Sequence, residues 1–114
     1  MKFDTTKILL DRLGDEFVEP VFKAGVKVET KEDGEVKPVF RKVTHGMLAV
    51  RAIDLQLEED KNLQADDIRK RDSLAAQIMA GGIVDLKTED AVFIQRRLCK
   101  FGMQAAPVIA ALDK

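Results

Sequence analysis

The sequence predicts an α+β fold, with a small N-terminal antiparallel β unit built around a hairpin and packed with three to four C-terminal helices. Three observations carry this expectation. Up to about residue 43, β-branched and Phe residues alternate with charge, and helical periodicity takes over afterwards. The 114 residues are the length of one domain, so 1–114 is read as a single domain, with 5–43 mainly β and 44–112 mainly α. The hydrophobic fraction of 46% supports a core. Six Phe are the only aromatic residues, so that core rests mostly on Leu, Ile, Val, Ala and Met.

Along the chain, Ile8-Leu9-Leu10 within 6–13 fits a buried strand or a short helix, which periodicity does not separate. Gly14-Asp15 reads as a turn. Pro20 interrupts Phe17, Val18, Val21 and Phe22, which favours an edge strand or an irregular segment. Val26, Val28 and Thr30 alternate with Lys27 and Glu29 as the first arm of the hairpin. Lys31-Glu32-Asp33-Gly34 supplies a polar turn in which Gly34 can adopt positive φ. The return arm runs through Val36 to Val39 and Phe40, with Pro38 marking an edge or a break in the ladder.

Thr44 suits the N-cap of a first helix, whose apolar residues 47–57 end near Glu58-Glu59-Asp60. A second helix is expected over 65–80. Asp66 and Asp67 lie in its first turn, Ile68, Leu74, Ala75, Ile78 and Met79 face inward, and Gly81-Gly82 forms the stop. Residues 83–86 form an extended connector or strand. Thr88 then caps a third helix with Ala91, Ile94, Leu98 and Phe101 at helical spacing. A last short helix follows Gly102 and carries Pro107 in its first turn.

Charge narrows the function classes. The net charge is −1, and both halves are balanced: 9 basic and 9 acidic residues in 1–43, 10 and 11 in 44–114. No global field draws the chain to nucleic acid or anionic lipid. One cysteine, Cys99, rules out an intrachain disulfide. The N-terminal residues do not read as a signal peptide, and no apolar run is long enough to span a bilayer. A cytoplasmic, non-membrane protein is expected.

Catalytic and cofactor chemistry finds no foothold. A zinc site needs several clustered ligands, and the lone His45 and lone Cys99 fall in different elements. His45 reads as a surface histidine at a helix start, because no neighbouring nucleophile or orienting carboxylate makes it a general base. Cys99 reads as a small half-buried hydrophobe, although Arg96, Arg97 and Lys100 flank it. Gly81-Gly82 lacks the spacing of a P-loop or a dinucleotide fingerprint. The expectation is no enzyme, no cofactor and no metal.

Two basic groups remain: Arg69, Lys70 and Arg71 on the second helix, and Arg96, Arg97 and Lys100 on the third. These six and the edge of the hairpin, whose unpaired backbone groups can recruit a partner strand, form the candidate interaction surfaces. A helix-turn-helix reading is opposed by the long link 81–87 and by Glu89-Asp90 at the start of the third helix. Asp54, Glu58, Glu59 and Asp60 form a complementary acidic group. Separate patches of both signs suit contact with another protein, a second copy of the chain included.

Leu86-Lys87-Thr88-Glu89-Asp90, then Ile94, then Pro107-Val108-Ile109 resemble small, largely uncharacterised proteins encoded by tailed bacteriophages and prophages. So does the opening Met1-Lys2-Phe3-Asp4-Thr5-Thr6 followed by Ile8-Leu9-Leu10-Asp11. The resemblance implies a β-type N-terminal part, a helical C-terminal part and a viral accessory setting in the host bacterial cytoplasm. It carries over no catalytic residue. The expected function is therefore a non-enzymatic phage-type accessory protein that binds another protein, a host factor or an assembly component. The alternative is a nucleic-acid-binding accessory protein using the six basic residues.

Overall fold

The computed structural model describes residues 1–113, apart from the Glu32 side chain. The fold is α+β: eight short strands and four α-helices among the described residues. The strands pair antiparallel, two by two, in four separate ribbons. Two compact units result, one of residues 8–43 and one joining residues 1–7 to the chain from Thr44 onwards.

In the first unit the stem is β2 (Val18–Pro20) paired with β7 (Phe40–Lys42). Two hairpins grow from it. One joins β3 (Phe22–Lys23) to β4 (Val26–Lys27). The other joins β5 (Glu29–Glu32) to β6 (Glu35–Pro38). Both turn on two residues with positive φ, Ala24-Gly25 at 53° and 78° and Asp33-Gly34 at 52° and 79°. That pair of left-handed residues is the type I′ turn, whose twist matches the flanking strands. The expected turn at 31–34 is thus shorter, and Lys31 and Glu32 belong to β5. The expected single hairpin is two, because Ala24-Gly25 also turns. Residues 6–13 form neither regular strand nor helix. Asp11 closes a tight loop, its Oδ1 accepting from the Leu13 and Asp15 N–H groups at 2.9 and 3.0 Å, and Leu10 bridges to Glu16.

Three residues that belong to no ribbon link the stem and its two arms. The Val21 N–H donates to the Val39 carbonyl, Val39 to Val28, and Val28 to Val21, at 2.8 to 2.9 Å. The three ribbon registers, extended by one residue, meet on these three valines. A second triangle closes the foot of the stem: Leu9 donates to Val43, Val43 to Phe17, and Phe17 to Leu9, all at 2.8 Å. Each corner spends its N–H and its carbonyl once, so a branch point that would otherwise strand backbone polar groups is satisfied.

In the second unit, β1 (Lys2–Asp4) pairs with β8 (Ile83–Asp85), placing buried Phe3 opposite buried Val84. α1 (His45–Asp54) starts at Thr44, whose Oγ1 accepts from the Met47 N–H at 3.2 Å. Gly46 lies so close to Thr5 that an added Cβ would meet the Thr5 Cβ at 2.7 Å. The helix ends at Asp54, short of the expected Glu58, and the acidic run forms a 3-10 turn, Glu58–Asp60. Two causes converge there: carboxylates are unfavourable at a helix C-terminus, and the Ala52 carbonyl accepts from Arg97 Nε at 2.6 Å.

α2 (Ala65–Met79) and α3 (Thr88–Leu98) both pack on α1. Leu74, Ala75 and Ile78 are buried as expected, but Ile68 and Met79 are exposed. Arg71, one turn on from Ile68, is the half-buried residue on that part of α2. Thr88, expected as a cap, is the first helical residue, and Lys87 occupies the cap without a side-chain bond. Ala91, Ile94 and Leu98 are buried. A 3-10 segment, Cys99–Ala105, bends at Gly102 with φ 77°, and α4 (Ala106–Ala111) carries Pro107 in its first turn. No helix among the described residues is long and apolar enough to cross a membrane.

Candidate interaction surfaces

The six basic residues do not form one surface. Arg97 is only 2% exposed. Its Nη2 donates to Asp60 Oδ2 at 2.8 Å, its Nη1 to Asp60 Oδ1 at 3.5 Å, and its Nε to Ala52. Arg71 Nη1 reaches the same Asp60 Oδ1 at 2.8 Å. Both guanidiniums lie beside the Phe93 ring, 4.9 and 5.2 Å from its centroid, a contact that favours a cation over an aromatic ring. Asp60 is itself buried and accepts from the Leu57 N–H at 2.9 Å. Burial pushes its carboxyl upward, but the Leu57 N–H and the two arginines outweigh this and hold it at about 2. A residue expected in an acidic surface group and two expected in a basic one therefore make a buried structural cluster. Charge alone could not reveal this, since Asp60, Arg71 and Arg97 are separated in sequence.

The other four cations stay exposed. Arg69 pairs with Asp66 at 3.1 Å. An open groove of about 760 Å³ runs along α2 and the start of α3. Its wall mixes Arg69, Lys70, Arg71 and Lys87 with Asp66, Asp67, Glu89 and Asp90. Equal numbers of both signs give it no preference for an anion.

His45 is buried, against the expectation of a surface histidine, and its Nδ1 has no hydrogen-bond partner among the described residues. Burial lowers its pKa, Lys7 adds to this, and Asp4 opposes it. No group of three or more His, Cys, Asp or Glu among the described residues could hold a metal ion. Cys99, expected half-buried, is exposed, with Sγ 3.3 Å from the Gln95 carbonyl. Gly81 and Gly82 end α2 with φ 84° and 72°, and the Gly82 carbonyl accepts from the Thr5 N–H and hydroxyl.

On the branched β unit the sequence reading singled out the hairpin edge, whereas the structure exposes an apolar face. Residues directly opposite in a ribbon share a face, and faces alternate along each strand. The registers carry one face through both branch points. On it lie all six corner residues: Leu9 and Val43 are buried, Phe17, Val21, Val28 and Val39 half-buried. The other face carries Leu10, Val18, Phe22, Val36 and Phe40, exposed by 46, 49, 59, 56 and 53%. Alternation was visible in the sequence, but which face becomes covered depends on the triangles.

No family model matches the chain, and neither the curated proteins nor the solved structures contain a significant match to it.

Proposed function

We propose that this chain is a non-enzymatic accessory protein of the phage type, acting in the host bacterial cytoplasm by binding another protein through its branched β unit. One observation carries the reading: five large apolar side chains stand exposed together on one face of the ribbons. Contiguous exposed apolar surface marks an interaction site more often than scattered single residues do. The helical unit supports the same reading by default. Its strongest charges are spent on the Asp60 cluster, and its groove is charge-balanced. The nucleic-acid alternative retains only Arg69, Lys70, Arg96 and Lys100 as exposed cations of the original six, with Arg69 engaged by Asp66.

The test is affinity capture from a bacterial lysate on the immobilised full chain. A Phe22→Asp/Phe40→Asp variant is expected to lose the retained protein, by about tenfold or more for a residue at the centre of a contact. Arg96→Glu/Lys100→Glu is expected to keep it. Both phenylalanines are exposed, so circular dichroism should show the fold intact in the variant. Retention unaffected by Phe22→Asp/Phe40→Asp overturns the reading.

A further inference from the structure

The exposed apolar face has a second regularity. On this face, in each of the three ribbons that meet at Val21, Val28 and Val39, one exposed apolar residue sits directly opposite a lysine, and Val26 opposite Lys23 repeats the pairing on the other face. The pairs are Val18 with Lys42, Phe22 with Lys27, and Val36 with Lys31. Opposite residues share a face, so all three lysines stand on the apolar side. Lys42 pairs with Glu16 at 2.9 Å. Lys27 and Lys31 have no ion-pair partner among the described residues. Glu29, opposite Pro38, is the remaining charge on this face of the arms.

We infer that this face recognises an extended protein segment that carries apolar and carboxylate side chains two positions apart, and so on one side, the apolar groups settling on Phe22, Phe40 and Val36 and the carboxylates meeting Lys27 and Lys31. The inference rests on the docking role proposed above and names the chemistry of the partner. Charge complementarity selects the occupant. A second copy docked face to face would set one net-positive face, three lysines against Glu16 and Glu29, on another, which opposes association. Anionic lipid is disfavoured by magnitude. Binding to such a surface takes a cluster of several basic residues, and two free lysines offset by Glu29 fall short of one. In an extended segment every second side chain faces the ribbons, so apolar and acidic residues two positions apart reach this face together. Its carboxylates need travel no further than the lysines beside the apolar residues.

The experiment uses the full chain and three probes: a short extended peptide of repeating Phe-Thr-Glu-Thr, the same peptide with Lys in place of Glu, and phosphatidylserine vesicles. Titration is followed by amide chemical shifts and salt dependence. The expected result is binding of the Glu peptide alone, with shifts centred on Val18, Phe22, Val36 and Phe40. Lys27→Glu/Lys31→Glu should weaken it about tenfold and transfer the preference to the Lys peptide. Both lysines lie in hairpin arms without partners, so these variants test charge rather than folding. Equal binding of both peptides, shifts outside this face, or lysine-dependent binding to the vesicles alone overturns the inference. The two proposals fail separately. If lysate capture depends on Phe22 and Phe40 but ignores Lys27→Glu/Lys31→Glu, docking stands and the acidic partner is wrong. If capture ignores the phenylalanines, the docking reading itself fails.

Discussion

Asp60 concentrates the chemistry of the helical unit in one carboxylate. Two guanidiniums and one backbone N–H converge on it. Removing the carboxylate leaves buried Arg97 without its counter-ion, and breaking a buried pair from one side costs about 3 kcal/mol. Asp60→Asn should therefore lower stability by roughly that amount in urea unfolding. The pH dependence follows from the sign of the shift. The carboxyl ionises at about 2 in the fold against 3.8 ordinarily, so its contribution is complete above about 4 and is lost as pH falls toward 2. Asp60→Asn should flatten the acid limb in that window. His45 acts over a different range. Its folded pKa lies below the ordinary 6.5, so the unfolded chain binds the extra proton first and stability should rise with pH through the region below 6.5. A His45→Gln variant should lose that slope in thermal melts at stepped pH. Sequence reading placed both residues at the surface because burial is a tertiary outcome. Asp60 sits in an acidic run that looks solvated until Arg71 and Arg97 arrive from two other helices.

The elements were more legible than the residues within them. The Thr44 cap, the span of α2, the stop at Gly81-Gly82 and the Pro107 start of α4 depend on local chemistry, and local chemistry is what a sequence displays. The end of α1 was misplaced because it depends on Arg97, forty-five residues away. Strand β1 was invisible, since three residues are too few for alternation and its partner β8 lies at the far end of the chain. The first hairpin was missed for a narrower reason. Its turn begins with Ala24 at φ 53°, a conformation that alanine disfavours by about 1 kcal/mol and that asparagine tolerates. Ala24→Asn creates the preferred turn pair with Gly25. It should stabilise the hairpin by about that 1 kcal/mol, seen as slower amide exchange at Lys23 and Val26, the hydrogen-bonded pair that flanks the turn.

At the level of the whole molecule, near-neutrality matters more than any local patch. Nineteen basic residues face twenty acidic ones, and the cations that looked most clustered in sequence are partly buried or paired in the fold. Duplex DNA and RNA should accordingly show no mobility shift at low salt, where phosphate contacts are strongest. A shift abolished by Arg96→Glu/Lys100→Glu would restore the nucleic-acid reading. The α+β class was readable because the period of apolar residues changes once, near residue 43. That the β half would branch, rather than form a sheet, was not readable. Branching depends on Val21, Val28 and Val39 sharing three bonds, and valine in a strand looks the same whether it has one neighbouring strand or two.

The valine triangle also bears on how such a molecule can diversify. In a sheet, lengthening one strand disturbs the register of its neighbours on both sides. Here each arm is paired only with itself and leaves the trunk across a single edge of the triangle. The topology is that of a tree. A twig can be lengthened, shortened or rewritten at its tip while every other pairing is preserved, so lineages carrying this unit can exchange hairpins one branch at a time.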